Sequence, residues 1–125
     1  MPDPLVITIP GMPPSANHAF VTRSNGMRVL TREAEEYQGW VENAALAAYA
    51  NGNLTLHKGQ WLRLTFKAYF PDKRKRDLDN MKKVIGDGIA RGLFIDDRWF
   101  LWTDDVPEVD KADPRIVVTV EEEAL

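Results

Sequence analysis

An α+β fold, a small mixed β-sheet packed with two helices, is expected from three observations. "QWLRLTFKAYF" (60–70) alternates apolar and polar side chains, the period of a strand with one core face. Two stretches, 32–50 and 79–91, repeat apolar residues at helical spacing. Two β-branched runs, "LVITIP" (5–10) and "RIVVTVEEE" (115–123), lie towards the ends of the chain.

In chain order, "LVITIP" is a strand that stops at Pro10. "GMPPSANHAF" (11–20) is rich in Pro and Gly and reads as a loop. "FVTRSNGMRVL" (20–30) places Asn25–Gly26 between short apolar runs, the pattern of a hairpin. Thr31 is placed to cap a helix over 32–50, with Tyr37, Val41, Ala44, Ala45 and Ala48 on one face and Asn51–Gly52 at its end.

In the strand over 60–70, Leu62, Leu64, Phe66, Ala68 and Phe70 share the core face. Met81, Val84, Ile85, Gly88 and Ile89 form the apolar stripe of the second helix, with Gly92 as its terminator. Gly86 and Gly88 inside that helix each cost about 1 kcal/mol against Ala. Close packing of the helix on the sheet is the expected compensation. After Gly92 the chain is expected to re-enter the core through Leu93–Phe94–Ile95.

Composition narrows the chemistry. The 125 residues suit one domain, 1–125, able to bury a core without staples. With no cysteine, disulfides, thiolate nucleophiles and Cys-ligated zinc are excluded, and His18 and His57 alone cannot build a His-rich metal site. "MPDPLVITIP" has no basic start and no long apolar run, so a cytoplasmic protein without a signal peptide is expected. Net charge is −3, which by itself does not suggest a nucleic-acid binder.

The charge is unevenly placed. In "KRKRDLDNMKK" (73–83), four basic residues run into Asp77 and Asp79, then Asn80, Lys82 and Lys83. On a helix, residues i and i+2 diverge, so Asp77 and Asp79 can cooperate only if the triplet is extended or turns just before the helix. Asp79 or Asn80 then sits at the helix start, and Lys83 lies one turn beyond Asp79. The helix leads to "GLFIDD", whose Asp96–Asp97 pair can return towards the first.

Two readings of this pattern compete. Clustered carboxylates repel, by about 4 kcal/mol per pair at 4 Å and an effective dielectric of about 20. A hard divalent cation such as Mg²⁺ removes that cost, taking one or two carboxylates plus waters and phosphate oxygens. Lys73, Arg74, Lys75 and Arg76 would then hold the phosphates of a polyanion. In the plainer reading Asp79 is a helix cap, the basic run a solvated loop and Asp96–Asp97 a turn. Lys83 is then a surface partner of Asp79 or Asp87. Likewise Trp99, Phe100 and Trp102 read as core, Asp104–Asp105 as solvated, Glu121–Glu123 as an acidic tail, and His18 as a loop residue.

"PDKRKRDLDNMKK…GLFIDD" resembles the signature of the RusA family of Holliday junction resolvases. "PPSANH" (13–18) is similar to the family's Pro-Pro-Ser-x-Asn element, with Ala16 where the family pattern has a first Asn. The resemblance implies a RusA-like fold and a structure-selective endonuclease acting on four-way DNA junctions in recombination and repair. It implies Mg²⁺ (or Mn²⁺) as cofactor, a homodimer, and a bacterial or phage-infected cell as setting. By the same resemblance Asp77, Asp79 and Asp97 are the catalytic, metal-holding carboxylates and Lys83 the catalytic lysine. Arg76, Asn80 and Asn17 are candidates for DNA contact, and Asp96 is the neighbour of the acidic pair. Two alternatives on the same scaffold are a different branched-DNA specificity and a DNA binder without catalysis.

Overall fold

The computed structural model describes residues 2–124, except the side chains of Ala16 and Asn17. The elements run β1 (Leu5–Pro10), α1 (Ala16–Ala19), β2 (Phe20–Thr22), β3 (Arg28–Leu30), α2 (Arg32–Asn51), β4 (Leu62–Phe70) and α3 (Leu78–Leu93). A 3₁₀ turn (Asp97–Trp99), β5 (Phe100–Asp104), β6 (Glu108–Val109) and β7 (Arg115–Glu122) complete the chain. The expected α+β class holds, with the two long helices α2 and α3 and a mixed sheet.

The sheet runs β1-β7-β4-β5, and β6 pairs with the end of β4. β7 lies antiparallel to both β1 and β4, whereas β4 and β5 are parallel. Parallel neighbours need a crossover, and α3 supplies it. β2 and β3 form the expected hairpin, with Gly26 at φ 85 where only glycine is unstrained.

Alternation in the sequence becomes one core face. Leu5, Ile7 and Ile9 of β1, Leu62, Leu64, Phe66 and Ala68 of β4, and Ile116, Val118 and Val120 of β7 are all buried. Tyr37, Val41 and Ala45 of α2 and Val84, Ile85 and Ile89 of α3 cover them. Thr31 caps α2 as expected, its side chain accepting from the Ala34 N–H. Gln38 is the buried polar link between the helices. It donates to the Val84 carbonyl at 3.2 Å and accepts from Arg91 at 2.9 Å.

Several local expectations are corrected. The loop over 11–20 contains the turn of helix α1. Gly92 does not end α3: the helix runs to Leu93, and Phe94 closes it in the left-handed region at φ 57. A Cβ on Gly92 would stand 2.5 Å from the Glu42 carbonyl oxygen, so its smallness serves the approach of α2. Gly88 does the same, since a Cβ there would lie 2.8 Å from Val41. Only Gly86 faces the sheet, towards Trp102 at 3.2 Å. Phe94 does not re-enter the core but is 82% exposed. The acidic tail is also structured: Glu121 and Glu122 belong to β7, and Glu123 accepts two bonds from Arg63.

Candidate active site

The start of α3 is set by Asp77. Its extended backbone stands before the first helical residue, and its Oδ1 accepts from the N–H groups of Asp79 (3.0 Å) and Asn80 (3.3 Å). Its Oδ2 accepts from the Asn80 side chain at 2.7 Å. The cap is therefore Asp77, not Asp79 or Asn80. Asp77 stands just outside the helix and Asp79 within its first turn.

From there α3 presents one functional face. Asp79, Lys83 and Asp87 follow at i, i+4 and i+8, so they stack along one side of the helix. They line a cleft of about 510 Å³ together with Lys82, Gly86, Asp97, Phe100, Trp102 and Phe20. Gly86 lets the half-buried Trp102 ring lie under the helix as part of the lining. Trp102 is braced edge-on against Phe66 (6.3 Å) and Phe100 (6.4 Å).

Lysine placement differs from the plain reading of the sequence. The ion pair is made by Lys82, 3.3 Å from Asp79 and 2.9 Å from Asp104. Burial of the Lys82 ammonium depresses its pKa, but hydrogen bonds to Asp104 and Asp79 outweigh that and raise it overall. Asp104 is thus a partner rather than a merely solvated residue. Lys83 is exposed and opens onto the cleft.

Asp97 begins the 3₁₀ turn, which Asp96 caps by accepting from the Arg98 N–H at 2.9 Å. The turn is pinned through Trp99, whose ring meets Trp61 edge-on at 5.0 Å. This places Asp97 in the cleft beside Asp87. Asp96 faces a separate hollow with Lys58, Phe94 and Trp99. The Asp87 carboxyl is raised above the ordinary carboxylate range, first by burial and then by the charge of Asp97. Arg91 opposes the shift only in part, and a hydrogen bond with Asp97 adds to it.

The sequence-derived carboxylates are thus not gathered as one tight set. Asp79 and Asp97 line the cleft, and Asp77 sits at its helix end as the cap. Among the described residues, no three acidic or histidine side chains are close enough to form a metal cluster. The donors do fit a hard cation that keeps several waters and needs one or two carboxylates. Asp79 and Asp97, both lining the cleft, offer two carboxylates of that kind. Asp87 was not singled out as a site residue in the sequence, although the 79-83-87 spacing carries the signal.

The basic run forms a second surface beyond the helix start. Lys73, Arg74 and Lys75 are exposed and border a groove with Phe70, Leu78 and Val109. Arg76 is held inward, 2.8 Å from Asp72 and with its guanidinium over the Phe70 ring at 4.6 Å. Asn80 bonds Asp77, while the Asn17 side chain lies outside the described residues. His18 is exposed. No helix among the described residues is long and apolar enough to cross a membrane.

Comparison with known proteins shows the family of the chain. Residues 10–121 match the family described as endodeoxyribonuclease RusA. The chain is 28% identical over 113 residues to the crossover junction endodeoxyribonuclease RusA of Escherichia coli strain K12, covering 90% of this chain and 83% of the relative. With the protein of the same name from Enterobacteria phage 82 it shares 26% identity over 113 residues, at the same coverage of both chains.

Proposed function

The chain belongs to the RusA family of endodeoxyribonucleases, and from that premise we propose that it resolves four-way DNA junctions by metal-dependent hydrolysis of phosphodiester bonds. The observation that carries the reading is the acidic cleft on α3, lined by Asp79, Lys83 and Asp97 and continued at the helix start by an exposed basic run.

The basic run binds DNA backbone. Lys73, Arg74 and Lys75 reach phosphates freely, and Arg76 adds a charge held in place by Asp72. The scissile phosphate then lies over the cleft. Asp79 and Asp97 would hold a divalent cation there, Mg²⁺ in this reading, with Mn²⁺ as substitute. Asp77 belongs to the same carboxylate set by resemblance. Its cap uses three of its roughly four lone-pair sites, which leaves one for a further contact.

Bound there, the cation would lower the pKa of a water and offset charge on the phosphate. Lys83 is the cleft ammonium free of the Asp104 tether, so it is placed to hold the phosphate or steady charge that develops on it. Trp102 and Phe100 give the cleft an apolar side, which strengthens each of these charge contacts.

A homodimer suits the substrate. A four-way junction has approximate two-fold symmetry and needs two incisions, and a C2 pair supplies two equivalent clefts. The test uses a labelled synthetic junction and a linear duplex of the same sequence, each with Mg²⁺. Paired symmetric nicks in the junction alone, lost in Asp97→Asn, support the reading. Equal cutting of both DNAs overturns junction selectivity, and binding without nicking overturns catalysis.

A further inference from the structure

We propose that the β2–β3 hairpin is a second DNA-gripping element, in which Arg23 and Arg28 bind backbone phosphates of the junction arm that passes the cleft. The inference rests on the nuclease reading and adds to it a contact surface outside the basic run at 73–76.

Charge distribution is the first observation. Residues 11–32 contain no Asp or Glu but carry Arg23, Arg28 and Arg32, in a chain whose net charge is −3. Arg63, Arg76 and Arg115 are each held by a carboxylate, at 3.0, 2.8 and 2.8 Å. Among the described residues neither Arg23 nor Arg28 forms an ion pair, and both are exposed. Two arginines free of carboxylates on an acidic protein form a local positive surface that complements a polyanion.

Placement is the second. The hairpin stands apart from the main sheet as its own two-stranded ribbon. Phe20 pairs with Leu30 and Thr22 with Arg28, so these four side chains share one face. Phe20 on that face lines the cleft of Asp79, Lys83 and Asp97, and the Arg28 guanidinium lies over its ring at 4.7 Å. Stacking occupies the flat face of the guanidinium and leaves its N–H edge for phosphate oxygens. The cleft is thus flanked by two basic elements, the run at the start of α3 and this hairpin.

The arm is also held in shape before DNA arrives. At its foot the Thr31 N–H donates to the Ala19 carbonyl at 2.9 Å, and the Thr31 hydroxyl donates to the His18 carbonyl at 2.7 Å. At its tip the Gly26 N–H donates to the Arg23 carbonyl at 2.9 Å, and Asn25 accepts from the Met27 N–H at 3.0 Å. A preformed arm spends little ordering entropy on binding.

The test titrates a labelled synthetic four-way junction with the full chain in EDTA, across salt concentrations, by fluorescence anisotropy. Arg23→Gln and Arg28→Gln are each expected to reduce the slope of log affinity against log salt by about 0.9, the duplex value for one phosphate contact. Arg23→Lys and Arg28→Lys are expected to keep the wild-type slope. Lys111→Gln, which removes an exposed charge from the turn between β6 and β7, is expected to keep it as well. Wild-type slopes in both Gln variants, with a reduced slope in Arg74→Ala, overturn the inference and leave the nuclease reading standing. Wild-type protein that shows no salt-dependent junction binding overturns both. An equal loss in Lys111→Gln overturns the inference, because the effect then follows net charge and not the hairpin. Wild-type slopes joined to a change of oligomeric state in sedimentation would make the hairpin a contact between copies, and also overturn it. If Arg28→Gln melts below wild type through loss of the Phe20 contact, Arg23→Gln alone decides: a slope reduced by about 0.9 supports the inference, and an unchanged slope overturns it.

Discussion

Lys82 donates to both carboxylate oxygens of Asp104 at 2.9 Å, tying the first turns of α3 to the end of β5. The same ammonium lies 3.3 Å from Asp79. The tether therefore fixes the position of a candidate cation-holding carboxylate as well as the helix. Lys82→Met keeps the aliphatic stem and removes the charge. Stability should fall by less than about 1 kcal/mol, since Asp79 is well exposed and such pairs are weak. Junction cleavage should fall by about 10–100-fold, because Asp79 loses the group that orients it. Unchanged turnover in Lys82→Met would show that Asp79 needs no such support.

Asp77 separates two roles by substitution. As the cap of α3 it stabilises the helix, and Asn caps about as well as Asp whereas Ala does not. Asp77→Ala should therefore lower stability by about 1 kcal/mol, and Asp77→Asn by only a few tenths. If the carboxylate also holds the cation, both variants should lose cleavage. Urea unfolding paired with junction assays decides between the roles. Full activity in Asp77→Asn would leave the residue as a cap alone.

Most of the fold was legible because its elements follow simple periods. The alternation over 60–70 set the buried face of β4, and Thr31 marked the start of α2 within one residue. Legibility failed where tertiary contact overrode a local signal. Gly92 reads as a stop, yet it is buried against Glu42, and the stop is Phe94, a poor left-handed residue by local preference. β5 was missed because "FLWTD" is short and follows a charged turn, so its pairing with β4 is visible only once α3 has folded back. In the site, the Asp-x-Asp spacing drew attention to Asp77. Asp87 was passed over because a single acid amid an apolar helix stripe reads as solvated until Asp97 is brought beside it.

The two helix glycines should respond differently to a methyl group. In Gly88→Ala the new Cβ meets the Val41 side chain at 2.8 Å and the Gln38 carbonyl oxygen at 3.0 Å. Overpacking of about 1–3 kcal/mol exceeds the gain of up to about 1 kcal/mol in helix propensity. Gly86→Ala meets only the Trp102 ring, at 3.2 Å, and a ring edge can yield. Its stability should stay within about 1 kcal/mol of wild type, while the shifted ring narrows the cleft and lowers cleavage. Equal destabilisation of the two variants, read from melting curves, would contradict the packing described for α2 and α3.

Within the basic run, exposure predicts which residues carry the salt dependence of binding. Arg74 is exposed and held only through its backbone, the N–H by Asp72 and the carbonyl by the Arg76 guanidinium. Arg74→Ala should reduce the slope of log affinity against log salt by about 0.9, one duplex phosphate contact. Arg76→Ala should also cost stability, because it removes the pair with Asp72 and the stacking on Phe70. Binding titrations of the inactive Asp97→Asn background across salt concentrations provide the check. An unchanged slope in Arg74→Ala would make the run a solvated loop.

The pH dependence of stability should carry the signature of Asp87. Its pKa in the fold is raised above the ordinary 3.8, by burial first and by Asp97 second. Below the ordinary value both folded and unfolded chains hold the proton, and the group contributes nothing. As pH rises past it, the unfolded chain releases the proton first, so stability falls until the folded pKa is passed. The penalty is then constant through neutral pH. Asp72, Asp110 and Glu123 act with the opposite sign, since Arg76, Arg115 and Arg63 hold their pKa values down. Their stabilisation is full at neutral pH and is lost as pH falls through the lowered values. Acid unfolding of wild type mixes the two effects, and the difference between wild type and Asp87→Asn isolates the first. In EDTA, Asp87→Asn should be the more stable protein at neutral pH, and its advantage should vanish as the pH approaches the ordinary carboxylate value. Urea unfolding of both proteins across that range measures the difference. An advantage that stays constant with pH, or a variant less stable than wild type at neutral pH, would mean that Asp87 is not held at an unfavourable charge in the fold.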